Sequence, residues 1–217
     1  MTLAIFDLDN TLIAGDSDHA WGQFMVDKQV VDPAAYKKEN DRFYQDYQNG
    51  VLDMYAYLEF SIQPLTRIPA DQRQALHQEF MSRVIQPMLL PKAEQLLESH
   101  RQAGDFLLVI TSTNRFIVEP ICLLLGVDDL IATEPEVIDG NYTGKICGVP
   151  SFQEGKISRL NEWLANRPMD MKGSYFYSDS INDLPLLQKV DHPVAVDPDD
   201  ALHAEAVKNN WKILSLR

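Results

Sequence analysis

Leu3-Ala4-Ile5-Phe6-Asp7-Leu8-Asp9-Asn10-Thr11 is the stretch that decides the fold. Four apolar residues in a row read as a short strand covered on both faces, and two carboxylates follow directly where that strand should end. In a parallel α/β sheet, ligands bind in the crevice outside the carboxyl ends of the strands. Asp7 and Asp9 are therefore expected at such a crevice, and two carboxylates crowded there need a counter-charge. Mg²⁺ is the natural candidate, a hard cation that takes carboxylate, carbonyl and water oxygens and bridges to phosphate. An ordinary turn after a strand also accepts this pattern, so the weight falls on what the rest of the chain adds.

Working outward, the alternation of strands and helices does not begin at once. From 16 to about 87 the pattern is helical throughout. Asp32-Pro33 caps a helix with proline at its first position, and Tyr36, Phe43, Tyr44 and Tyr47 recur at helical spacing until Asn49-Gly50 stops it. Asp53 caps a segment carrying Tyr57, Leu58 and Ile62, and a further helix begins near Pro69. From about 88 the chain alternates: helix 91–103 closed by Gly104, strand 106–110, helix 115–125 closed by Gly126, strand 130–132, and a hairpin signal at Asp139-Gly140. Then follow helix 155–166, strand 174–177, helix 182–189, strand 193–196, helix 201–209 and a last strand 211–214.

The expected architecture is α/β, a doubly wound parallel-sheet core from residues 1–14 plus 88–217, with an α-helical cap, 15–87, inserted after the first strand. Such an insert sits over the carboxyl ends of the strands as a lid. Its aromatic residues are expected to form the cap's own core rather than to touch a ligand, since aromatics at helical spacing usually pack.

Composition bounds the function. A chain of 217 residues with 45% hydrophobic and 24% charged residues is long enough for one α/β core and a smaller second unit. The densest apolar stretch, Ile121 to Leu125, falls far short of the roughly 18 to 20 residues of a membrane span, and no basic region precedes the first apolar residues. A cytoplasmic location is expected. Cys122 and Cys147 are too isolated for a metal cluster and are expected to be reduced thiols. The net charge of −13 speaks against nucleic acid as a partner, because that binding depends on Lys and Arg neutralising phosphates. A small phosphorylated molecule would need local positive charge, which Mg²⁺ and Lys156 would supply. Oligomeric state is not legible.

Four motifs now stand in order: Asp7-Leu8-Asp9-Asn10-Thr11, Val109-Ile110-Thr111, Gly155-Lys156, and Ser178-Asp179-Ser180-Ile181-Asn182-Asp183. With these the whole chain resembles the haloacid dehalogenase superfamily, in its phosphoserine-phosphatase-like and histidinol-phosphatase-like branch with a helical cap. The resemblance implies a phosphoric monoester hydrolase in which Asp7 is the nucleophile, forming an aspartyl-phosphate, and Asp9 the acid for the leaving alkoxide and then the base for water. It implies that Thr111 and Lys156 bind and stabilise the phosphoryl group, that the Asp7 carboxylate, the Asp9 carbonyl and Asp179 hold Mg²⁺, and that Asn182 and Asp183 support metal waters and Lys156. The chain departs from the common pattern in having serines at 178 and 180, and Thr111-Ser112-Thr113-Asn114 where phosphoserine phosphatases have Ser-Gly-Gly.

For the substrate, the resemblance places Asp16, followed by Asp18, where phosphoserine phosphatases carry a glutamate facing the substrate amine. It places Glu59 where their cap arginine holds the substrate carboxylate. A leaving group with positive charge and no carboxylate follows, and histidinol phosphate fits. Phosphoserine, or a broader range of small phosphate esters, is the alternative, and Arg42, Arg67 or Arg115 would have to hold a carboxylate in that case. His19 and Ser112 are further candidates for the substrate site. A protein that binds phosphorylated ligands without turnover is the alternative of a different class, but it has no use for a second, protonatable Asp9.

Overall fold

The computed structural model describes residues 2–217. β1 (Leu3–Phe6) pairs in parallel with β2 (Phe106–Asn114) on one side and β5 (Tyr175–Ser178) on the other. β3 (Asp129–Ile138) continues the sheet beside β2 and returns antiparallel over Asp139-Gly140 as β4 (Asn141–Cys147). β6 (His192–Val196) and β7 (Lys212–Leu214) extend the other side, giving the order β4-β3-β2-β1-β5-β6-β7. The chain winds outward from β1 through β3, then crosses back to β5. The direction of winding therefore reverses at β1, and the crevice beyond its end is where a ligand belongs.

Period-two alternation sends side chains to two covered faces. Leu3, Ile5, Leu108, Ile110, Phe176 and Ala195 pack under α7 (Glu154–Leu164), α8 (Leu184–Leu187) and α9 (Asp200–Lys208). Ala4, Phe6, Leu107, Val109, Tyr177 and Val194 pack under α5 (Pro91–Ala103) and α6 (Arg115–Leu125). Burial on both faces is what the unbroken apolar runs require.

The structure departs from the expected elements at three places. β2 and β3 run on past the predicted 106–110 and 130–132, with the β2–β3 register shifting between Ile110 and Asn114. Apolar content marked only the buried halves, whereas the polar continuation Thr111-Ser112-Thr113-Asn114 stays extended because β-branched threonines suit a strand. The predicted helix 182–189 is a 3₁₀ turn, Ile181–Asp183, followed by the single turn of α8.

Between β1 and β2 lies the helical insert: α1 (Ser17–Asp27), α2 (Pro33–Gln48), α3 (Met54–Ile62), α4 (Ala70–Phe80) and a π-helical turn, Met81–Ile85. Asp16, Asp32 and Asp53 each accept from the backbone N–H three residues on, which satisfies orphan donors of the first turn and fixes where α1, α2 and α3 begin. The chain leaves and re-enters the core side by side. Ile13 pairs antiparallel with Leu89, and Ala14 N donates to Met88 O at 2.8 Å. Met54, Leu58 and Ile62 of α3 pack with Ile146 of β4 and Phe152, which closes the cap onto the sheet edge. Among the described residues no helix is long and apolar enough to cross a membrane, and Cys122 and Cys147 are both free thiols.

Candidate active site

Asp7 continues β1 by one residue, its N–H donating to Tyr177 O at 2.9 Å, so its side chain leaves the sheet at the winding reversal. Oδ1 accepts from Lys156 Nζ at 2.8 Å; the same ammonium lies 2.7 Å from Asp183 Oδ1 and 2.8 Å from Oδ2. Ser178 Oγ donates to Asp183 at 2.7 Å, and Ser180 accepts from Asn182 N to cap the 3₁₀ turn. The serines at 178 and 180 thus hold the fourth motif in shape. Thr11 ties the first motif to the fourth: its hydroxyl donates to Asp179 Oδ1 at 2.9 Å and accepts from Asp179 N at 3.1 Å.

Lys156 reaches this point because of the turn before it. Gln153 has φ 49°, ψ −122°, a conformation costly for a residue with a side chain, and it donates to Asn182 Oδ1 at 3.2 Å. A Cβ on Gly155 would lie 2.1 Å from the Pro150 carbonyl oxygen, so only glycine permits the approach that starts α7 here. Lys156 is then 3% exposed, in the first turn of the helix, with two carboxylates on its ammonium.

Asp9 is held from both sides. Thr113 Oγ1 donates to Oδ2 at 2.8 Å and Ser17 N to Oδ1 at 2.6 Å. Thr111 is buried and its Oγ1 accepts from Thr113 N at 3.1 Å, which leaves the hydroxyl proton for another acceptor. Burial pushes the Asp7 carboxyl up to about 7 against the pull of Lys156, and Asp183 and Asp9 add to the rise. Burial and the Asp16 charge push Asp9 up to about 6, opposed by Ser17 and Thr113. Burial, with Asp7 next, holds Asp179 well above the usual carboxylate range. Lys156 is raised above the ordinary lysine value: burial works against its charge, but Asp183 and Asp7 outweigh it.

The cap closes over these groups. Asp7, Asp9, Ser112 and Thr113 share a cavity of about 30 Å³ with Asp16, Asp18, His19 and Asn40 of the cap and with Phe43, Tyr44, Tyr47 and Tyr57. That volume has room for about one water. Four of the cap aromatics line the cavity, which corrects the expectation that they serve only the cap core. Asn182 Nδ2 reaches Tyr47 O at 3.4 Å, linking α2 to the fourth motif. Asp16 is occupied as the cap of α1, while His19 turns its Nε2 to Asp41 at 3.1 Å and stacks on Tyr44.

Two candidates are not brought to the cavity. Glu59 is exposed and lines a separate groove with Val30, Tyr36 and Arg67. α3 buries Met54, Leu58 and Ile62 and turns Met54 and Tyr57 toward the cavity, so Glu59 lies on the opposite face. Arg115 is spent on Glu134, with Nε and Nη2 at 2.7 to 3.0 Å, and on Leu130 O. Arg42 pairs with Glu39 and Asp46 on the surface. Among the described residues no arginine or lysine lines the cavity, so the carboxylate-repelling role given to Glu59 falls, and a carboxylate still finds no partner. The sequence reading missed Thr113 and Ser17, which hold Asp9; the extra hydroxyls after Thr111 were the available signal for the first, but a backbone N–H leaves none.

Among the described residues, no three His, Cys, Asp or Glu side chains converge tightly enough to hold a metal on their own. Asp7 and Asp179 each use only Oδ1 in a side-chain hydrogen bond. Lys156 pairs with Asp7 and Asp183, while Asp9, Asp16 and Asp18 line the same cavity as Asp7 and Asp179 is held by Thr11, so carboxylates outnumber cations among the described residues of the site. This donor set fits Mg²⁺, which binds through one or two carboxylates and keeps several waters, better than a metal that needs a complete cage.

Residues 4–188 match the model of haloacid dehalogenase-like hydrolases. The chain belongs to that family. Within the haloacid dehalogenase-like hydrolases, a histidinol-phosphatase of Neisseria meningitidis is 50% identical over 219 residues, covering 99% of both chains. A Bordetella pertussis protein of unknown function superposes with a TM-score of 0.94 at 41% identity over the full length of both. A substrate-bound phosphoserine phosphatase shares the fold, with a TM-score of 0.72 at 18% identity over 100% of this chain and 93% of its own.

Proposed function

We propose that this chain is a Mg²⁺-dependent phosphomonoesterase that hydrolyses histidinol phosphate through an aspartyl-phosphate on Asp7. The observation that carries the substrate is the cavity itself: carboxylates and aromatic rings opposite Asp7 and Asp9 and, among the described residues, no arginine or lysine in its lining. It suits a leaving group with positive charge and no carboxylate, and the Neisseria relative bears the same substrate in its name.

The Asp7 carboxylate attacks phosphorus while the bond to the leaving oxygen breaks, and Asp9 protonates that oxygen. Asp9 then takes a proton from the water that displaces phosphate from Asp7. A carboxyl held near 6 serves both roles close to neutrality. Lys156, fixed by Asp183, offsets charge on Asp7 and on the phosphoryl oxygens, and Thr111 donates a hydroxyl hydrogen bond to them. Asp7, Asp179 and the Asp9 carbonyl would hold Mg²⁺, supported by Asn182 and Asp183. When bound it supplies charge for the phosphate and draws the raised carboxyl of Asp7 back to its ionised form. Asp16, Asp18, His19 and Ser112 contribute to the substrate site.

A cavity of about 30 Å³ cannot admit such an ester, so turnover requires the cap to open. We assign residues 15–87 to the moving cap and 1–14 plus 88–217 to the core, with the paired strands at Ile13 and Leu89 as the joint.

The test is phosphate release, with Mg²⁺ and with chelator, from histidinol phosphate, phosphoserine, phosphoethanolamine and phenyl phosphate, ranked by kcat/KM. A Mg²⁺-dependent preference for histidinol phosphate is expected. A preference for phosphoserine would show that an arginine reaches the cavity in the open state and would sink the substrate assignment.

A further inference from the structure

We propose that Gln153 is a positioning residue for the reaction: through Asn182 it latches the end of α2 to the core, so that one turn of chain sets both the closed cap and the place of Lys156. The inference rests on the phosphomonoesterase reading, which gives Lys156 to the phosphoryl group and requires the cap to open and close.

The turn from Pro150 to Lys156 touches cap and core at once. Phe152 packs with Met54, Leu58 and Ile62 of α3, and its ring centroid lies 6.2 Å from that of Tyr47 on α2. Gly155 N donates to Phe152 O at 2.8 Å and Lys156 N to Gln153 O at 3.1 Å, so a shift of Phe152 is passed to the start of α7. Lys156 in turn holds Asp7 at 2.8 Å.

Gln153 is the first central residue of the turn closed by Gly155 and Phe152. Its φ of 49° and ψ of −122° are those of a type II′ turn, where glycine is usual. A side chain kept in such a conformation is destabilising, and its amide supplies the compensating role. Nε2 donates to Asn182 Oδ1 at 3.2 Å. With that oxygen taken, Asn182 presents Nδ2 to the Tyr47 carbonyl at 3.4 Å and to Ser180 Oγ at 3.3 Å. The reversed amide would set oxygen against the Tyr47 carbonyl, so Gln153 fixes the orientation that accepts the cap. Asn182 is buried, and Tyr47 lines the cavity beside Asp7. Lifting α2 breaks the Asn182 bond and uncovers Phe152 together; lowering it restores both.

The experiment compares wild type, Gln153→Ala and Gln153→Gly by kcat/KM on histidinol phosphate, phosphoethanolamine and phenyl phosphate, by thermal melts, and by hydrogen exchange of the α2 amides without ligand. Both variants lose the amide, but only Gln153→Gly also relieves the turn. In both, kcat/KM is expected to fall about 3- to 10-fold on every ester that wild type hydrolyses, the range for loss of one neutral hydrogen bond. Tm should fall in Gln153→Ala and hold or rise in Gln153→Gly, while α2 exchanges faster in both. Activity that follows Tm, full in Gln153→Gly and reduced in Gln153→Ala, would overturn the proposal and make Gln153 a turn residue only. Unchanged kcat/KM, or wild-type exchange of α2, would overturn it too. Unequal losses among the esters would put Gln153 against the leaving group and equally end the latch. If wild type hydrolyses none of the three, the phosphomonoesterase reading falls, and the exchange of α2 still decides the latch.

Discussion

The two ends of the cavity are built on opposite terms. At the core end Asp7, Lys156, Asp183, Thr11 and Asp179 come from three separate segments, and each finds a partner at 2.7 to 2.9 Å. At the cap end Asp18 keeps an unpaired oxygen among aromatic rings. The core end has its side chains fixed against one another before any ligand arrives, with Asp7 Oδ2 and the Thr111 hydroxyl proton left open, and groups that need not reorganise stabilise developing charge best. The cap end leaves a buried carboxyl oxygen without a partner, which is destabilising until a donor meets it.

Removing a member of the finished network should have the largest effect. Asp7→Asn is expected to lower phosphate release on the order of 10⁴-fold or more, as loss of a nucleophile does, while circular dichroism reports an intact fold. Turnover near the wild-type rate would take Asp7 out of its role. Next comes Gly155→Ala. The added Cβ meets a backbone oxygen at 2.1 Å, so α7 must move, and Lys156 with it. Overpacking of this kind costs about 1–3 kcal/mol or more, and kcat should fall on every ester alike because the shared phosphoryl end is displaced. A normal kcat in a stably folded Gly155→Ala protein would show that Lys156 can be placed without the tight turn.

The unequal legibility of the two ends has the same origin. Core residues follow strand ends, and a strand end is visible in sequence as an apolar run that stops: Phe6 before Asp7, Tyr177 before Asp179. Glycines and caps marked most helix limits for equally local reasons, as at Gly104 and Gly126, both left-handed at the ends of α5 and α6. The cap end depends on which face of a short helix turns inward. One residue along a helix is about 100° of rotation, and Glu59 was misplaced on those grounds while Tyr57, two residues earlier, faces the cavity. Arg115 was open to the opposite error: its partner Glu134 is distant in sequence and was invisible until β3 was seen to run on past Thr133.

A matching substitution in the cap sharpens the contrast. Gly22 lies where α1 meets α2, and its Cβ would come within 2.5 Å of Asn40 Oδ1. Here the obstacle is a side chain, which can swing away at the expense of its bond to His19 O. Gly22→Ala should cost about 1–3 kcal/mol, at the lower part of that range, and should raise KM more than it lowers kcat. Steady-state kinetics on histidinol phosphate decides it; a kcat loss as deep as that of Gly155→Ala would mean the two ends are not separable.

The smallest effect is on the pH dependence of stability, where two cap residues should act with opposite sign. His77 of α4 is a joint between cap and core, Nε2 3.1 Å from Ile117 O and packed by Trp21, Phe80 and Phe116. Burial lowers its pKa below 6.5, against the backbone carbonyls that favour its charge. The folded protein therefore keeps His77 neutral after the unfolded chain has taken up a proton, and stability is lost as pH falls from the unfolded value toward the folded one. Asp18 is raised well above 3.8 by burial and by Asp16, so its effect runs the other way: stability present at low pH is lost as pH rises through its folded value. Melts of wild type, His77→Gln and Asp18→Asn from about pH 5 to about pH 8 separate the two. Relative to wild type, His77→Gln should gain toward the acid side and Asp18→Asn toward the basic side. Parallel curves for all three proteins would mean that neither group keeps in solution the protonation its burial imposes, and that the cap is open for most of the time.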